Sequence, residues 1–220
     1  MTRDLFPPPA ALSRRALVLG TPLLLAACVT NSPPPVVQTL GDPRYGEVVG
    51  EPFEVPAVDT SGLDPRLLRQ VVDYPSKYPV GTIVVDVPNR YLYLVEKDGK
   101  AIRYGVGVGK QGYSYRGWAT IKRKEKWPHW TPTANMIAKQ PERYKPYAAG
   151  LPGGETNPLG PRALYLYDGD RDTMFRLHGT IEPDTIGTEV SSGCIRLLNQ
   201  DIIDLYERVP LGTRVIVINN

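Results

Sequence analysis

The chain has 220 residues, enough for one ordinary domain with additional segments, and its 23 prolines and 21 glycines favour turns and short strands over long helices. Its 26 basic and 23 acidic residues give a net charge of +3, which lacks the strong basic excess of a nucleic-acid-binding domain. We therefore expect no nucleic-acid partner.

Residues 1–28 have the layout of a signal peptide. Arg14 and Arg15, which also resemble a twin-arginine export signal, precede an apolar run from Ala16 to Ala27 that is too short to span a bilayer. The ending Leu25-Ala26-Ala27-Cys28 resembles a bacterial lipobox and implies lipidation of Cys28. We expect an exported, periplasmic, membrane-anchored lipoprotein; the alternative is an ordinary signal peptide in which Cys28 is incidental.

The next two segments lead into the folded domain. Residues 29–62 are proline-rich and predict an extended, semi-rigid tether. Residues 63–80 predict a short helical lead-in, with a helix from Arg66 to Val72, because Asp64-Pro65 is a common helix start. The folded domain is expected to span residues 81–220.

This domain is predicted to be mainly β. Strands at 83–87, 91–95 and 101–108 form an antiparallel meander, since alternating apolar residues flank turn residues such as Asp98-Gly99. Residues 109–160 are predicted to be loop-rich, and a loop region of this length indicates a lid or a binding surface.

The C-terminal part of the domain is expected to complete a β-sandwich with one short helix. The elements expected there are strands at 163–167 and 173–178, a helix at 200–209 with Asn199 as its N-cap, and a closing strand at 214–218.

His178 and Cys194 indicate nucleophilic chemistry. A thiol reacts as its thiolate and needs a base or an electropositive setting, and His178 at the end of a predicted strand can take its proton. Gly193 beside the thiol would allow backbone N–H groups to face a reacting carbonyl. The pair predicts a cysteine acyl-transfer enzyme; the alternatives are a buried, inert thiol and a hydrogen-bonded core histidine.

For the other motifs, a structural explanation is favoured over a catalytic or ligand-binding role. His129, His178 and Cys194 lack the paired spacing of a zinc site, and we expect no metal and no cofactor. Gly107 to Gly112 match the G-x-G-x-x-G pattern but no helix follows, so tight turning is favoured over dinucleotide binding. Lys122 to Lys126 predict a solvated basic face, with contact to an anionic wall polymer as the alternative. Four aromatic residues could line a substrate groove or pack as core: Tyr113, Trp118, Trp127 and Trp130.

Residues 81–218 resemble the L,D-transpeptidases with a YkuD catalytic domain, in particular the ErfK/YbiS branch. The segments that carry the resemblance are 81–86, 91–94, 105–110, 127–132, 157–160, His178-Gly179-Thr180 and Ser191-Ser192-Gly193-Cys194-Ile195-Arg196. The last two segments are the specific ones. Many members carry His where this chain has Ser192, and many have a Thr-Pro-x-Gly turn where this chain has residues 116–120.

The resemblance implies a YkuD-like β-sandwich with long active-site loops, acting on peptidoglycan stem peptides. Cys194 would attack the third residue of a tetrapeptide stem and release D-alanine, with His178 as the base and the Gly179 carbonyl orienting it. Gly193 and Ser192 would belong to the oxyanion and substrate site, and Arg196 could pair with a substrate carboxylate. An amine acceptor would give a 3→3 cross-link or a protein attachment.

The same resemblance leaves two other activities open. Water as the acceptor would give an L,D-carboxypeptidase or hydrolase, and a dead site would give a catalytically silent wall-binding lipoprotein. A thiol nucleophile also implies acylation by carbapenem-type inhibitors.

Overall fold

The computed structural model describes residues 42–109, 116–190 and 193–219. The predicted signal peptide, the lipidation site Cys28 and the first part of the predicted tether lie outside these residues.

Strands are the predominant regular structure of the described residues, as the sequence predicted. The strands are β1 Gln70–Asp73, β2 Ile83–Asp86, β3 Tyr91–Val95, β4 Lys100–Gly105, β5 Val108–Gly109, β6 Gly117–Lys126, β7 Arg162–Asp168, β8 Arg171–His178, β9 Glu189–Val190, β10 Ile195–Arg196 and β11 Arg214–Ile218. The α-helices are α1 Ala134–Lys139, α2 Pro141–Tyr144 and α3 Asn199–Arg208. Short 3-10 helices lie at Pro43–Tyr45, Pro65–Leu67, Lys145–Tyr147 and Pro183–Thr185.

One mixed sheet carries the fold, with the strand order β1-β4-β3-β2-β11-β6-β7-β8-β10, and β5 pairs separately with β9. Beyond β4 the chain continues to Gly107, which forms an antiparallel bridge with Arg196 of β10. Since β4 and β10 lie near opposite ends of the strand order, this bridge requires the sheet to fold back on itself. The predicted mainly β fold is confirmed, and its layers come from one folded sheet.

The core lies inside this folded sheet. The inward-pointing residues of the strands share one cluster with Ile202 and Leu205 on the apolar face of α3 and with Val209, which caps its C-terminus. Leu177 of β8 and Ile195 of β10 belong to this cluster, and their side chains are almost fully buried. The strands that carry the site are therefore fixed to the core through every second residue.

The predicted helix from Arg66 to Val72 is wrong. Only Pro65–Leu67 forms a helical turn, and it is a 3-10 turn. Gln70–Asp73 instead pairs antiparallel with β4, Val71 opposite Ile102. The exposed backbone edge of β4 offers these residues hydrogen bonds along the whole segment, and such tertiary pairing overrides a weak local helix preference.

The predicted loop region also contains a central strand, because β6 covers Gly117–Lys126 and pairs with both β11 and β7. Its charged residues obscure the alternation in the sequence. The ammonium group of Lys124 donates hydrogen bonds to the Tyr206 and Val209 carbonyls at the end of α3, both at 2.6 Å. Lys122 and Arg123 are paired with Asp170 and Glu125, so these basic side chains have intramolecular partners.

Residues 42–62, called the strap below, pack on the domain, whereas the sequence predicted an extended tether. The side chain of Tyr45 is 1% exposed in a small apolar cluster with Ile186 and Leu198. The amide of Gln200 donates hydrogen bonds to the carbonyls of Gly46 and Pro56 at 3.0 and 2.9 Å. The proline-rich strap is therefore irregular in secondary structure but packs against the domain.

Candidate active site

The site is built on the parallel pairing of β8 with β10. Leu177 lies opposite Ile195, and His178 lies opposite Arg196. Because Leu177 and Ile195 point into the core, their neighbours along each strand point to the other face. That face holds His178, Cys194 and Arg196 together on the wall of one cleft of about 500 Å3.

The cleft is covered by residues 127–160, called the lid below. Trp130 and Leu151 form a backbone bridge at its base, and both residues line the cleft. The buried side-chain amide of Asn157 donates hydrogen bonds to the carbonyls of Pro128, Leu151 and Pro152 at 2.9, 3.2 and 3.0 Å. A lid without long helices is therefore held in shape by side-chain bonds to its backbone.

His178 is oriented by the residue that follows it. Its Nδ1 lies 2.6 Å from the carbonyl oxygen of Gly179, so Nδ1–H donates this hydrogen bond and Nε2 is left for the cleft. The side chain is 3% exposed. Burial lowers the pKa of His178 to about 3, and the positive charge of Arg196 acts in the same direction. The imidazole is therefore neutral near pH 7 and can accept a proton at Nε2.

Gly179 is required by close packing behind the histidine. A Cβ at this position would lie 2.4 Å from Oδ1 of Asn199 and 2.9 Å from Cδ of Pro161. The same Oδ1 accepts a hydrogen bond of 2.9 Å from the backbone N–H of Thr180. Asn199 is the first residue of α3 and its side chain holds the turn after His178, which differs from its predicted capping role.

Cys194 is a free cysteine whose sulfur lies 3.9 Å from the carbonyl oxygen of Met174. The protein packed around the sulfur raises the pKa of the thiol, because it removes water from the charged form. A backbone hydrogen bond from Arg176 and the charges of Arg176 and Arg196 oppose this rise. Gly193 has φ +87°, a conformation that favours glycine, and Ser192 lies outside the described residues.

Arg196 already has an acidic partner in the protein. Its guanidinium binds Oε2 of Glu182 at 2.7 Å, and Arg143 of α2 binds the other oxygen of Glu182 at 3.2 Å. Glu182 therefore connects the lid to β10. Neither Arg143 nor Glu182 was singled out by the sequence, since their meeting depends on how the lid folds over the sheet.

Three further residues line the same cleft but were not predicted as site residues from the sequence: Arg176, Tyr165 and Met174. A usable signal existed for Arg176, because it stands two residues before His178 on a predicted strand and so shares its face. Its guanidinium stacks over the ring of Tyr165 at 4.4 Å.

The predicted aromatic groove is found in part. Trp130 lines the cleft, with Tyr144 and Tyr147 of the lid each 6.2 Å from its ring. Trp118 instead packs beneath Arg214 on the sheet, and Trp127 donates a hydrogen bond to Glu51. Tyr113 lies outside the described residues.

The structure also locates the start of the glycine-rich motif and the candidate metal-ligating residues. Gly107 lies so close to the backbone of Thr185 that a Cβ would come within 2.6 Å of its carbonyl oxygen, so close packing favours glycine at this position. The tight turn predicted for the motif extends into residues outside the described part of the chain and stays a prediction. Among residues 42–109, 116–190 and 193–219, no three His, Cys, Asp or Glu side chains are grouped as metal ligands. In the same ranges, no helix is both long and apolar enough to cross a bilayer.

Comparison with known proteins identifies relatives of this chain. A family model described as the L,D-transpeptidase catalytic domain, YkuD, matches residues 81–217. A probable L,D-transpeptidase ErfK/SrfK of Escherichia coli (strain K12) is 38% identical over 140 residues, 62% of this chain and 44% of that protein. Its Salmonella typhimurium counterpart is 33% identical over 210 residues, 92% of this chain and 65% of that protein. The chain thus spans about half the length of these curated relatives.

Among solved structures, a Brucella melitensis protein is 48% identical and covers 73% of this chain and 99% of its own, with a TM-score of 0.50. It is named a probable carnitine operon oxidoreductase caia. That name differs in activity from the family model and from the curated relatives.

Proposed function

Because the chain belongs to the family of L,D-transpeptidase catalytic domains, as its resemblance predicted, we propose that it is a peptidoglycan L,D-transpeptidase with Cys194 as its nucleophile. The observation that carries this proposal is the oriented, neutral His178 on the same cleft wall as the free thiol of Cys194.

The geometry supports a stepwise proton path. The Cys194 thiol gives its proton to Nε2 of His178 as the sulfur attacks the carbonyl carbon of the third stem residue. The backbone N–H groups of Gly193 and Cys194 are the candidate donors to the oxyanion. The C–N bond to D-alanine then breaks, and the imidazolium returns its proton to the leaving amine. A thioester remains on Cys194.

A second amine completes the cycle. It attacks the thioester carbonyl, loses a proton to His178, and the Cys194 sulfur leaves and is reprotonated. A diaminopimelate amine as the acceptor gives a 3→3 cross-link, and an amine of a protein gives an attachment to the wall. Since His178 starts each half-reaction neutral, the same nitrogen serves as base and then as acid.

The charge of the cleft suits an anionic stem peptide. Among the described residues that line it, three arginines face one carboxylate, Glu182. These arginines are Arg143, Arg176 and Arg196. Arg196 is a candidate for a substrate carboxylate, which would have to share or replace its bond to Glu182.

We also propose that the protein works outside the cytoplasm, as a periplasmic lipoprotein anchored through Cys28. Support comes from the signal-peptide layout of residues 1–28 and from the lipobox-like ending. Two or three acyl chains on one cysteine would hold the protein far more firmly than one chain.

The test uses the purified protein with disaccharide-tetrapeptide, with Cys194→Ala as the matched variant. Products are separated by liquid chromatography and identified by mass spectrometry. A Cys194-dependent dimer that lacks one D-alanine supports transpeptidation. Tripeptide alone supports the carboxypeptidase alternative, and no product with wild type or variant favours a silent wall-binding lipoprotein.

A further inference from the structure

Arg176 lies beside the thiol. The pairing of β8 with β10 places Leu177 opposite Ile195, and the same register extended by one residue brings Arg176 next to Cys194. Both residues line the cleft, and the backbone of Arg176 forms a hydrogen bond with the thiol sulfur. The Arg176 side chain is only 12% exposed, so little water screens its charge.

The guanidinium of Arg176 is held in a fixed position. It binds both carboxylate oxygens of Asp172, Nη1 to Oδ1 at 2.7 Å and Nη2 to Oδ2 at 2.8 Å. One face stacks on Tyr165, whose hydroxyl donates a hydrogen bond of 2.7 Å to Glu125. A bidentate, stacked arginine loses few further degrees of freedom when a negative charge forms nearby.

Asp172 also shapes the backbone next to the sulfur. Its Oδ1 accepts a hydrogen bond of 2.8 Å from the N–H of Met174, and Met174 has φ +63°, an uncommon conformation for this residue type. The carbonyl of Met174 is the one that lies 3.9 Å from Sγ of Cys194. The carboxylate of Asp172 therefore holds both the guanidinium of Arg176, which lines the same cleft as Cys194, and the backbone whose carbonyl lies next to the thiol.

We propose that Arg176 is a positioning residue that stabilises the thiolate of Cys194 as it forms, and that Asp172 limits this effect by partly neutralising the guanidinium. The pair then sets how readily the thiol reacts. This inference rests on the proposed role of Cys194 as the nucleophile.

The other charges near the thiol act less directly. On β10, Arg196 lies opposite His178 and is paired with Glu182. His178 is neutral and adds no charge. Arg176 and Arg196 both lower the thiol pKa and Asp172 raises it, with Arg176 the larger of the two cationic effects.

The experiment measures alkylation of Cys194 by iodoacetamide as a function of pH, followed on the Cys194-containing peptide by mass spectrometry. Arg176→Gln removes the cation, so we expect the midpoint of the pH profile to rise and alkylation at pH 7 to slow by about fivefold, since one pKa unit changes the thiolate fraction tenfold. Asp172→Asn leaves the cation uncompensated, so we expect the midpoint to fall and alkylation at pH 7 to accelerate.

The opposite signs separate this effect from a structural one. Loss of structure exposes the thiol and would speed alkylation in both variants. Arg171→Gln is the matched control, because Arg171 is an exposed arginine on the same strand, paired with Asp168; its profile should equal that of wild type. Arg176→Lys keeps the charge and should restore much of the wild-type midpoint if Arg176→Gln folds poorly.

An unchanged midpoint in Arg176→Gln, or a shift in the same direction for both variants, would overturn the proposal. The assay needs no peptidoglycan substrate. Failure of the proposed function in the tetrapeptide assay is therefore distinguishable from failure of this inference.

Discussion

The carboxylate of Glu51 binds the buried guanidinium of Arg162, with Oε2 and Nη1 2.9 Å apart. Arg162 begins β7 and is 2% exposed, while Glu51 belongs to the strap, outside the residues matched by the family model. The same carboxylate accepts a hydrogen bond of 2.8 Å from Trp127 at the start of the lid. The strap is therefore part of the support of the lid.

Glu51→Gln should destabilise the protein by about 3–5 kcal/mol, because it leaves the charge of Arg162 buried without its anionic partner. Urea unfolding measures this change. Glu47→Gln, an exposed carboxylate on the same strap, is the control and should change the free energy of unfolding little. Equal values for the two variants would contradict a supporting role for Glu51.

The pKa of His178 predicts the pH dependence of turnover. Since burial lowers this pKa to about 3, the imidazole stays neutral as the pH falls through 6.5, and the proposed base function of His178 would be lost only near the lower value. We expect kcat/KM for the tetrapeptide to show no loss between pH 7 and pH 5 that titrates with His178. A decline centred near pH 6.5 would show an ordinary, solvated histidine.

Substitution of His178, the proposed base, should affect the chemical step. His178→Gln removes the proton acceptor, and general-base catalysis typically contributes about 10²–10⁴-fold, so kcat should fall by that order. Because Gln cannot accept the thiol proton, the remaining activity should rise with pH as the thiolate of Cys194 forms without a base. Steady-state kinetics with the tetrapeptide measure the effect. A variant with a raised KM and an unchanged kcat would argue that His178 only binds substrate.

A reactive Cys194 should be acylated by a carbapenem. Its sulfur would open the β-lactam ring and keep the whole inhibitor as a thioester, so intact-mass spectra should show a single added inhibitor mass. Cys194→Ala should show no added mass. An adduct of equal yield on the variant would place the reaction at another residue.

The bond between Arg143 and Glu182 should influence substrate affinity more than chemistry. Both side chains are partly exposed, and pairs of this kind contribute less than about 1 kcal/mol, so Arg143→Gln should raise KM by at most about fivefold with kcat nearly unchanged. Lys139→Gln, on α1 of the same lid, is the matched control. A fall of kcat with unchanged KM would contradict a role in holding the lid over the stem.

The raised pKa of Asp201 predicts that the free energy of unfolding depends on pH. Burial raises its pKa to about 7; the charge of Arg69 and the hydrogen bond with Tyr45 oppose the rise, and the charge of Asp204 adds to it. Because its folded pKa lies above its unfolded value, charging Asp201 costs stability progressively as the pH rises from about 4 to about 7, at about 1.4 kcal/mol per pKa unit.

The neutral variant Asp201→Asn should therefore gain stability relative to wild type over that pH range. The difference should level off above it. Chemical denaturation at several pH values measures the difference, and a constant offset from pH 4 to pH 8 would mean that Asp201 ionises normally.

Local sequence patterns predicted the elements in which the spacing of apolar residues along the chain matches the face that is buried. Alternating apolar residues at 83–95 form β2 and β3, and the apolar face at 200–209 forms α3 within a residue of the prediction. β1 and β6 were missed because neighbouring strands supply their hydrogen bonds and charged side chains obscure their alternation. The strap was predicted to be a tether because nothing in the local sequence around Glu51 indicates that it binds Arg162, a buried residue 111 positions away.

For the site, the sequence by itself supplied the candidate reacting groups, which are a thiol and an imidazole, and the glycines at which the backbone passes close to its neighbours. The tertiary structure alone decided the electrostatics around them. Arg176, Asp172 and Glu182 act on the site only because β8 pairs with β10 and the lid closes over both, and such long-range pairing has no signature in local sequence. Residue chemistry is local, whereas the field at a thiol depends on which charges folding brings near it.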